Sequence, residues 1–140
     1  MTEKSTLIGD YARAQAKARL RKLAEEVKRA SAAPDPDAIH DLRVSIRRFG
    51  QCLRAFGQFF PPKKRKRVRT RMRKVMDVAA EIRDRDIALE LLARAGVAED
   101  SEVARAMAAQ RSEAERELVR AVRRWQEKGF AAKWRAQLEI

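Results

Sequence analysis

A helical periodicity across residues 38–56 is the strongest constraint on what this chain can fold into. Apolar residues recur there at the spacing of one helix face. They are Leu42, Ile46, Phe49, Leu53 and Phe56. Residues three or four apart lie on the same side of an α-helix, so this segment predicts an amphipathic helix that buries one face against a core.

The opposite side of that helix carries a line of cations. Its members are His40, Arg43, Arg47 and Arg54. Cations aligned in this way repel one another, and a folded protein that retains them usually has a polyanion to bind. The same helix therefore indicates both a contact with the core and a binding surface.

The charge of the whole chain supports a polyanionic partner. Thirty-three Lys and Arg against 20 Asp and Glu give a net charge of +13. This charge favours nucleic acid, polyphosphate, an acidic protein or an anionic membrane, without choosing among them. The single cysteine, Cys52, excludes an intrachain disulfide and is expected to be a buried bystander. Because the sequence shows no secretory signal and no apolar run of membrane-spanning length, we expect a cytoplasmic protein.

Helical patterns separated by short breaks extend over the rest of the chain. A single domain over residues 1–140 is expected. The predicted helices run from about Thr6 to Ala30, from Pro36 (with Asp35 as N-cap) to near Phe59, from Pro62 or Lys63 to about Ala95, from Asp100 or Ser101 to Gly129, and, as a short tail, from Phe130 to Ile140. Four such helices with short loops predict an all-α fold, an up-down four-helix bundle with a short C-terminal helix.

Two of these helices carry apolar patterns that make specific predictions. The first helix has apolar residues on two sides, as expected of a helix wedged between neighbours. One side has Leu7, Tyr11, Ala14 and Ala18, and the other has Ala12, Ala16, Leu20, Leu23 and Val27. The fourth helix is expected to bury a face made of Val103, Met107, Ala114, Leu118, Ala121 and Trp125.

The third helix begins with a dense basic tract, since residues 63–74 hold nine cations and no acid. Four of these cations lie away from the apolar side of the third helix. They are expected to face the line of cations that begins at His40, across a groove. They are Lys66, Arg69, Arg73 and Lys74. Later in this helix, Asp84 and Asp86 are expected to orient neighbouring arginines or to accept a hydrogen bond from His40. They lack the further carboxylates that a magnesium or calcium site needs, so no metal site is expected.

Two motifs together resemble those of the CHAD family, the conserved histidine α-helical domain. The first is His40-x-x-Arg43-x-x-x-Arg47-Arg48. The second is Arg83-Asp84-Arg85-Asp86-Ile87, in which Ile87 replaces the usual Val. The resemblance covers about Thr6 to Trp125.

This resemblance implies a non-enzymatic module that binds inorganic polyphosphate in a basic cavity. The implied phosphate-binding residues are His40, Arg43, Arg47, Arg48 and Arg54, joined by Arg13 and Lys17 of the first helix and by Lys66, Arg69, Arg73 and Lys74 of the third. Arg83, Asp84 and Asp86 would support them. Family members typically contain two four-helix units, whereas this chain has one. Either two chains pair to rebuild the doubled domain, or this is a reduced member with half a groove, and of the two we expect the homodimer. Association with polyphosphate granules would follow from the ligand.

Two alternative functions remain open. The same charges would attract RNA or DNA without sequence specificity, although few aromatic residues are free for base stacking. The segment beginning at His40 also resembles the phosphorylated helix of histidine phosphotransfer domains, but Val44 stands where those domains have glycine. A polyphosphate-cleaving enzyme is disfavoured because the sequence has no Walker loop and no metal-binding cluster of acids.

Overall fold

The computed structural model describes residues 2–140, which form five α-helices and one short 3-10 turn. The helices are α1 (Glu3–Ala32), α2 (Pro36–Ala55), α3 (Pro62–Arg94), α4 (Glu102–Glu127) and α5 (Phe130–Leu138), and the 3-10 turn spans Gly57–Phe59. Packing is most extensive between α1 and α2 and between α3 and α4, and the α1–α4 and α2–α3 contacts close the bundle. The prediction of an all-α bundle with a short C-terminal helix is confirmed.

The predicted helix starts and stops are largely confirmed by local hydrogen bonds. The Asp35 carboxylate accepts from the Ala38 N–H at 2.8 Å and caps α2. The Ser101 hydroxyl accepts from the Ala104 N–H at 3.2 Å and caps α4. Gly129, with φ of 61°, ends α4 in the left-handed conformation that glycine adopts without strain.

Two predicted boundaries differ from the structure. α1 begins at Glu3 rather than near Thr6, because the Thr2 hydroxyl accepts from the Ser5 N–H at 3.2 Å and caps the helix earlier. α2 ends at Ala55, and the chain then makes the 3-10 turn before α3 begins.

The tail helix α5 belongs to the hydrophobic core. Trp134 is 1% exposed, and its ring stacks on Phe49 of α2 with ring centroids 6.3 Å apart. The rings of Trp125 and Phe130 each lie 5.0 Å from it in edge-on geometry. α5 therefore packs on α1, α3 and α4, and it reaches α2 through the stack of Trp134 on Phe49.

The expectation that α1 buries both of its apolar sides is wrong, although α1 does pack against α2, α4 and α5. The stripe containing Ala12, Ala16 and Leu20 is buried, but the second stripe is in solvent, with Leu7 63% and Tyr11 57% exposed. The physical reason is that the helices packed on α1 do not cover the side that carries Leu7 and Tyr11.

The hairpin of α3 and α4 extends beyond the core. We call residues 84–105 the α3–α4 tip. Its apolar residues are partly uncovered, with Ile87 43%, Leu91 58% and Val103 47% exposed. The predicted burial of Val103 is therefore wrong, and the neighbouring Ala104 is buried instead. Within residues 2–140, no helix combines the length and the hydrophobicity that crossing a bilayer requires.

Candidate functional site

A groove between α2 and α3 contains two adjoining concavities lined by cations. The first has a volume of about 270 Å³, and its ionisable lining residues are His40, Arg43, Arg83 and Asp86. The second has a volume of about 260 Å³, and its charged lining residues are Arg47, Arg54, Arg69 and Arg73. We call the two together the α2–α3 groove.

Helical periodicity explains why these cations meet in one groove. Buried residues such as Ile46 on α2 and Met72 on α3 form its floor. The cations are neighbours of those buried residues in the sequence, about 100° further round each helix. They therefore lie on the sides of the two helices that border the groove. His40 and Arg54 are fourteen residues apart, a length of about 21 Å along the helix axis.

The arginines of the groove have no carboxylate partners. Among the described residues, six groove arginines form no salt bridge. They are Arg43, Arg47, Arg54, Arg69, Arg73 and Arg83. An acidic residue, Asp86, also lines the groove, but it is hydrogen-bonded to Arg111 of α4, and this contact raises the pKa of Arg111.

Carboxylates pair with cations on other surfaces of the molecule. On α4, Glu113 lies 2.7 Å from Arg116 and 3.5 Å from Arg120, and its pKa is lowered mainly by the hydrogen bond from Arg116. Between α1 and α2, Arg29 donates to Asp41 at 2.5 Å. These ion pairs all lie outside the α2–α3 groove, whose six arginines therefore keep their positive charge uncompensated by a salt bridge among the described residues.

The environment of Arg43 is unfavourable for its positive charge. Its Nε is buried and has no hydrogen-bond acceptor among the described residues. Burial lowers the pKa of Arg43, the nearby charges of Arg83 and Arg47 lower it further, and Asp84 opposes the shift. An anion bound in the groove would reduce this repulsion and give the guanidinium an acceptor.

Two of the predicted binding residues face other grooves. Arg48 lies on the flank of α2 that faces α1, where it shares a concavity with Arg19 and Cys52. Cys52 is buried, as expected. Lys74 lines a concavity between α3 and α4, together with Glu81.

Three further predicted residues also lie outside the two concavities. Lys66 is exposed on the same flank of α3 as Arg73 but lines neither of them. Arg13 is 2.8 Å from Asp10, its salt-bridge partner. By helical periodicity, Arg13 and Lys17 lie on the flank of α1 that turns away from α2.

The three residues predicted to support the site, Arg83, Asp84 and Asp86, make different contacts in the structure. Arg83 stands in the first concavity beside Arg43 and adds to its positive charge. Neither Asp84 nor Asp86 accepts a hydrogen bond from His40 within residues 2–140, where Asp86 instead orients Arg111. The pairing of Arg111 with Glu115, whose carboxylate lies 2.5 Å away, follows from their spacing of four on one helix. The contact of Arg111 with Asp86 was not predicted from the sequence.

No metal-binding cluster of three His, Cys, Asp or Glu side chains occurs in the described part of the chain.

Residues 14–139 match the family model described as the CHAD domain. No curated protein and no solved structure matches the chain significantly.

Replacing Arg43 by Met should stabilise the ligand-free protein. The change removes a half-buried guanidinium that repels Arg47 and Arg83, and we expect a gain of about 1 kcal/mol in the free energy of unfolding. Urea denaturation at low salt measures this. In the control, Arg116→Met, a guanidinium paired with Glu113 is removed and no gain is expected. A decrease in the stability of Arg43→Met would show that Arg43 supports the fold.

Proposed function

The chain belongs to the CHAD domain family, and on that premise we propose that its α2–α3 groove binds inorganic polyphosphate without catalysing a reaction on it. Some members of this family bind polyphosphate. The observation that carries the proposal is the set of six arginines that share this groove and lack carboxylate partners among the described residues. We therefore also propose that the protein acts in the cytoplasm, at polyphosphate granules.

The chemistry of the groove suits a linear chain of phosphates. Arginine presents two parallel N–H donors to phosphate oxygens, and His40 adds a further donor at the first concavity. The length of about 21 Å from His40 to Arg54 leaves room for several consecutive phosphates. Successive guanidiniums would thus contact successive phosphates.

The lining of the groove favours polyphosphate over nucleic acid. No Phe, Tyr or Trp lines either concavity among the described residues. Proteins that bind single strands usually stack bases on such rings, and without them a nucleic acid would gain only from its phosphates. Long polyphosphate should therefore displace RNA or DNA at comparable phosphate concentration, and failure to displace them would favour a nucleic-acid-binding function.

Reversing two groove charges should abolish tight binding. We expect Arg43→Glu with Arg47→Glu to weaken binding of long-chain polyphosphate by about 3 kcal/mol or more, because two charge-assisted hydrogen-bonding groups become repulsive. Titration calorimetry at several salt concentrations measures the affinity. The slope of log K against log salt should also become shallower, by about 0.7 for each phosphate that the variant no longer neutralises, if the polyphosphate chain behaves like a single strand.

A matched control separates groove binding from general attraction. Arg21→Glu with Arg135→Glu makes the same change in net charge at two exposed positions outside the groove. This variant should keep most of the wild-type affinity. Equal weakening in both variants would mean that polyphosphate binds the positive surface at large.

We also propose that two copies of the chain associate through the α3–α4 tip. The exposed apolar side chains of Ile87, Leu91 and Val103 would be covered in such a pair. Six acids and three arginines fall within residues 84–105, so this is a place where two chains of charge +13 can approach with reduced repulsion. An isologous contact here would bring the first concavities of two grooves towards each other.

Light scattering with and without long-chain polyphosphate tests the association. We expect a mass of twice 16.1 kDa, with polyphosphate strengthening the pair because it neutralises both grooves. Leu91→Asp should give monomers, whereas the control Leu7→Asp, on the exposed side of α1, should not. A single-chain mass under both conditions would contradict the proposed pair.

A further inference from the structure

The two adjacent arginines of the His40 motif point into different grooves. Arg47 lines the α2–α3 groove, whereas Arg48 lines a concavity of about 340 Å³ between α1 and α2. We call this concavity the α1–α2 groove. It lies on the other flank of α2 and shares only Gln51 with the α2–α3 groove, so a ligand in that groove does not account for its arginines or its aromatic ring.

One part of the α1–α2 groove is cationic. Arg19 of α1 and Arg48 of α2 line it from facing helices, and neither forms a salt bridge among the described residues. Burial raises the pKa of the Cys52 thiol and the charge of Arg19 opposes that shift, which places the Arg19 charge close to the groove floor. Two guanidiniums so arranged suit the oxygens of a phosphate group.

Another part of the same groove is aromatic. The Tyr11 side chain lines the groove and is 57% exposed. Its ring meets that of the half-buried Phe56 edge-on, with centroids 5.9 Å apart, and this contact holds the ring against α2. A free aromatic surface held in one orientation is suited to stacking on a planar base.

Amide side chains also line the groove. Gln15 of α1 and Gln51 of α2 each offer a donor and an acceptor at their ends. Tyr11 and Arg19 are eight residues apart, about 12 Å along α1. A base, a sugar and a short phosphate chain in sequence can span that distance.

We propose that the α1–α2 groove binds a nucleoside polyphosphate, with the base against Tyr11 and the phosphates at Arg19 and Arg48. Inorganic polyphosphate has no ring to place on Tyr11, and an apolar ligand would leave both guanidiniums without anions. A ligand that carries a base and phosphates uses the two parts together. Gln51 lines both grooves, but Tyr11, Arg19 and Arg48 line only this one, so the site does not depend on the function proposed for the α2–α3 groove.

Titration calorimetry of the full chain with ATP, tripolyphosphate and adenosine tests the proposal. The affinities are compared in a chain that carries Arg43→Glu and Arg47→Glu, so that tripolyphosphate does not bind in the α2–α3 groove as well. Tripolyphosphate has a phosphate chain of the same length as that of ATP but no base, so the ratio of the two affinities reports the aromatic contact. We expect ATP to bind about tenfold more tightly than tripolyphosphate, and adenosine to bind far more weakly than ATP. Arg19→Gln should weaken ATP binding several-fold, whereas Arg21→Gln, an exposed cation on the same helix, should not.

Variants at Tyr11 separate this site from the α2–α3 groove. Tyr11→Leu should reduce the ratio of ATP to tripolyphosphate affinity to about one. The separate variant Tyr11→Phe keeps the aromatic ring and should keep the original ratio. Long-chain polyphosphate binding should be unchanged in both variants. With the α2–α3 groove reversed in charge, equal affinities for ATP and tripolyphosphate while Tyr11 is present, or an unchanged ratio in Tyr11→Leu, would overturn the proposal.

Discussion

Repulsion among the arginines of the α2–α3 groove is the interaction on which the proposed activity depends. The bundle holds these cations together because apolar residues on the inner faces of α2 and α3 fix both helices, with Trp134 of α5 packed behind Phe49. Asp84 relieves part of the repulsion at Arg43, but Asp86 is held by Arg111, and the groove arginines form no salt bridge among the described residues. The fold therefore maintains a positive groove at some cost in stability, and a bound polyanion would offset that cost.

Both flanks of α2 take part in the proposed recognition. One flank presents arginines with no aromatic ring lining their groove in the described part of the chain, which suits phosphates alone. The other flank combines Arg48 with the ring of Tyr11, which suits phosphates joined to a base. A single helix can thus distinguish two classes of phosphate compound, because side chains 100° apart on it enter grooves with different walls.

The helices and the α2 line of cations could be predicted well from the sequence, because periodicity and capping residues such as Asp35 act locally. Which groove each cation enters could be predicted less well. Lys74 lies only one residue from Arg73, yet it faces α4 rather than α2. The exposed stripe around Tyr11 was also unpredictable, since amphipathic patterns identify apolar sides but not whether a neighbouring helix covers them.

Nitrogen-15 spectra of the arginine side chains would test the central claim most directly. The Nε–H signals of arginines in the α2–α3 groove, such as Arg43 and Arg73, should shift when long-chain polyphosphate is added. Those of Arg111 and Arg116, which are paired with carboxylates, should stay in place. Shifts of similar size at paired and groove arginines alike would contradict a dedicated groove.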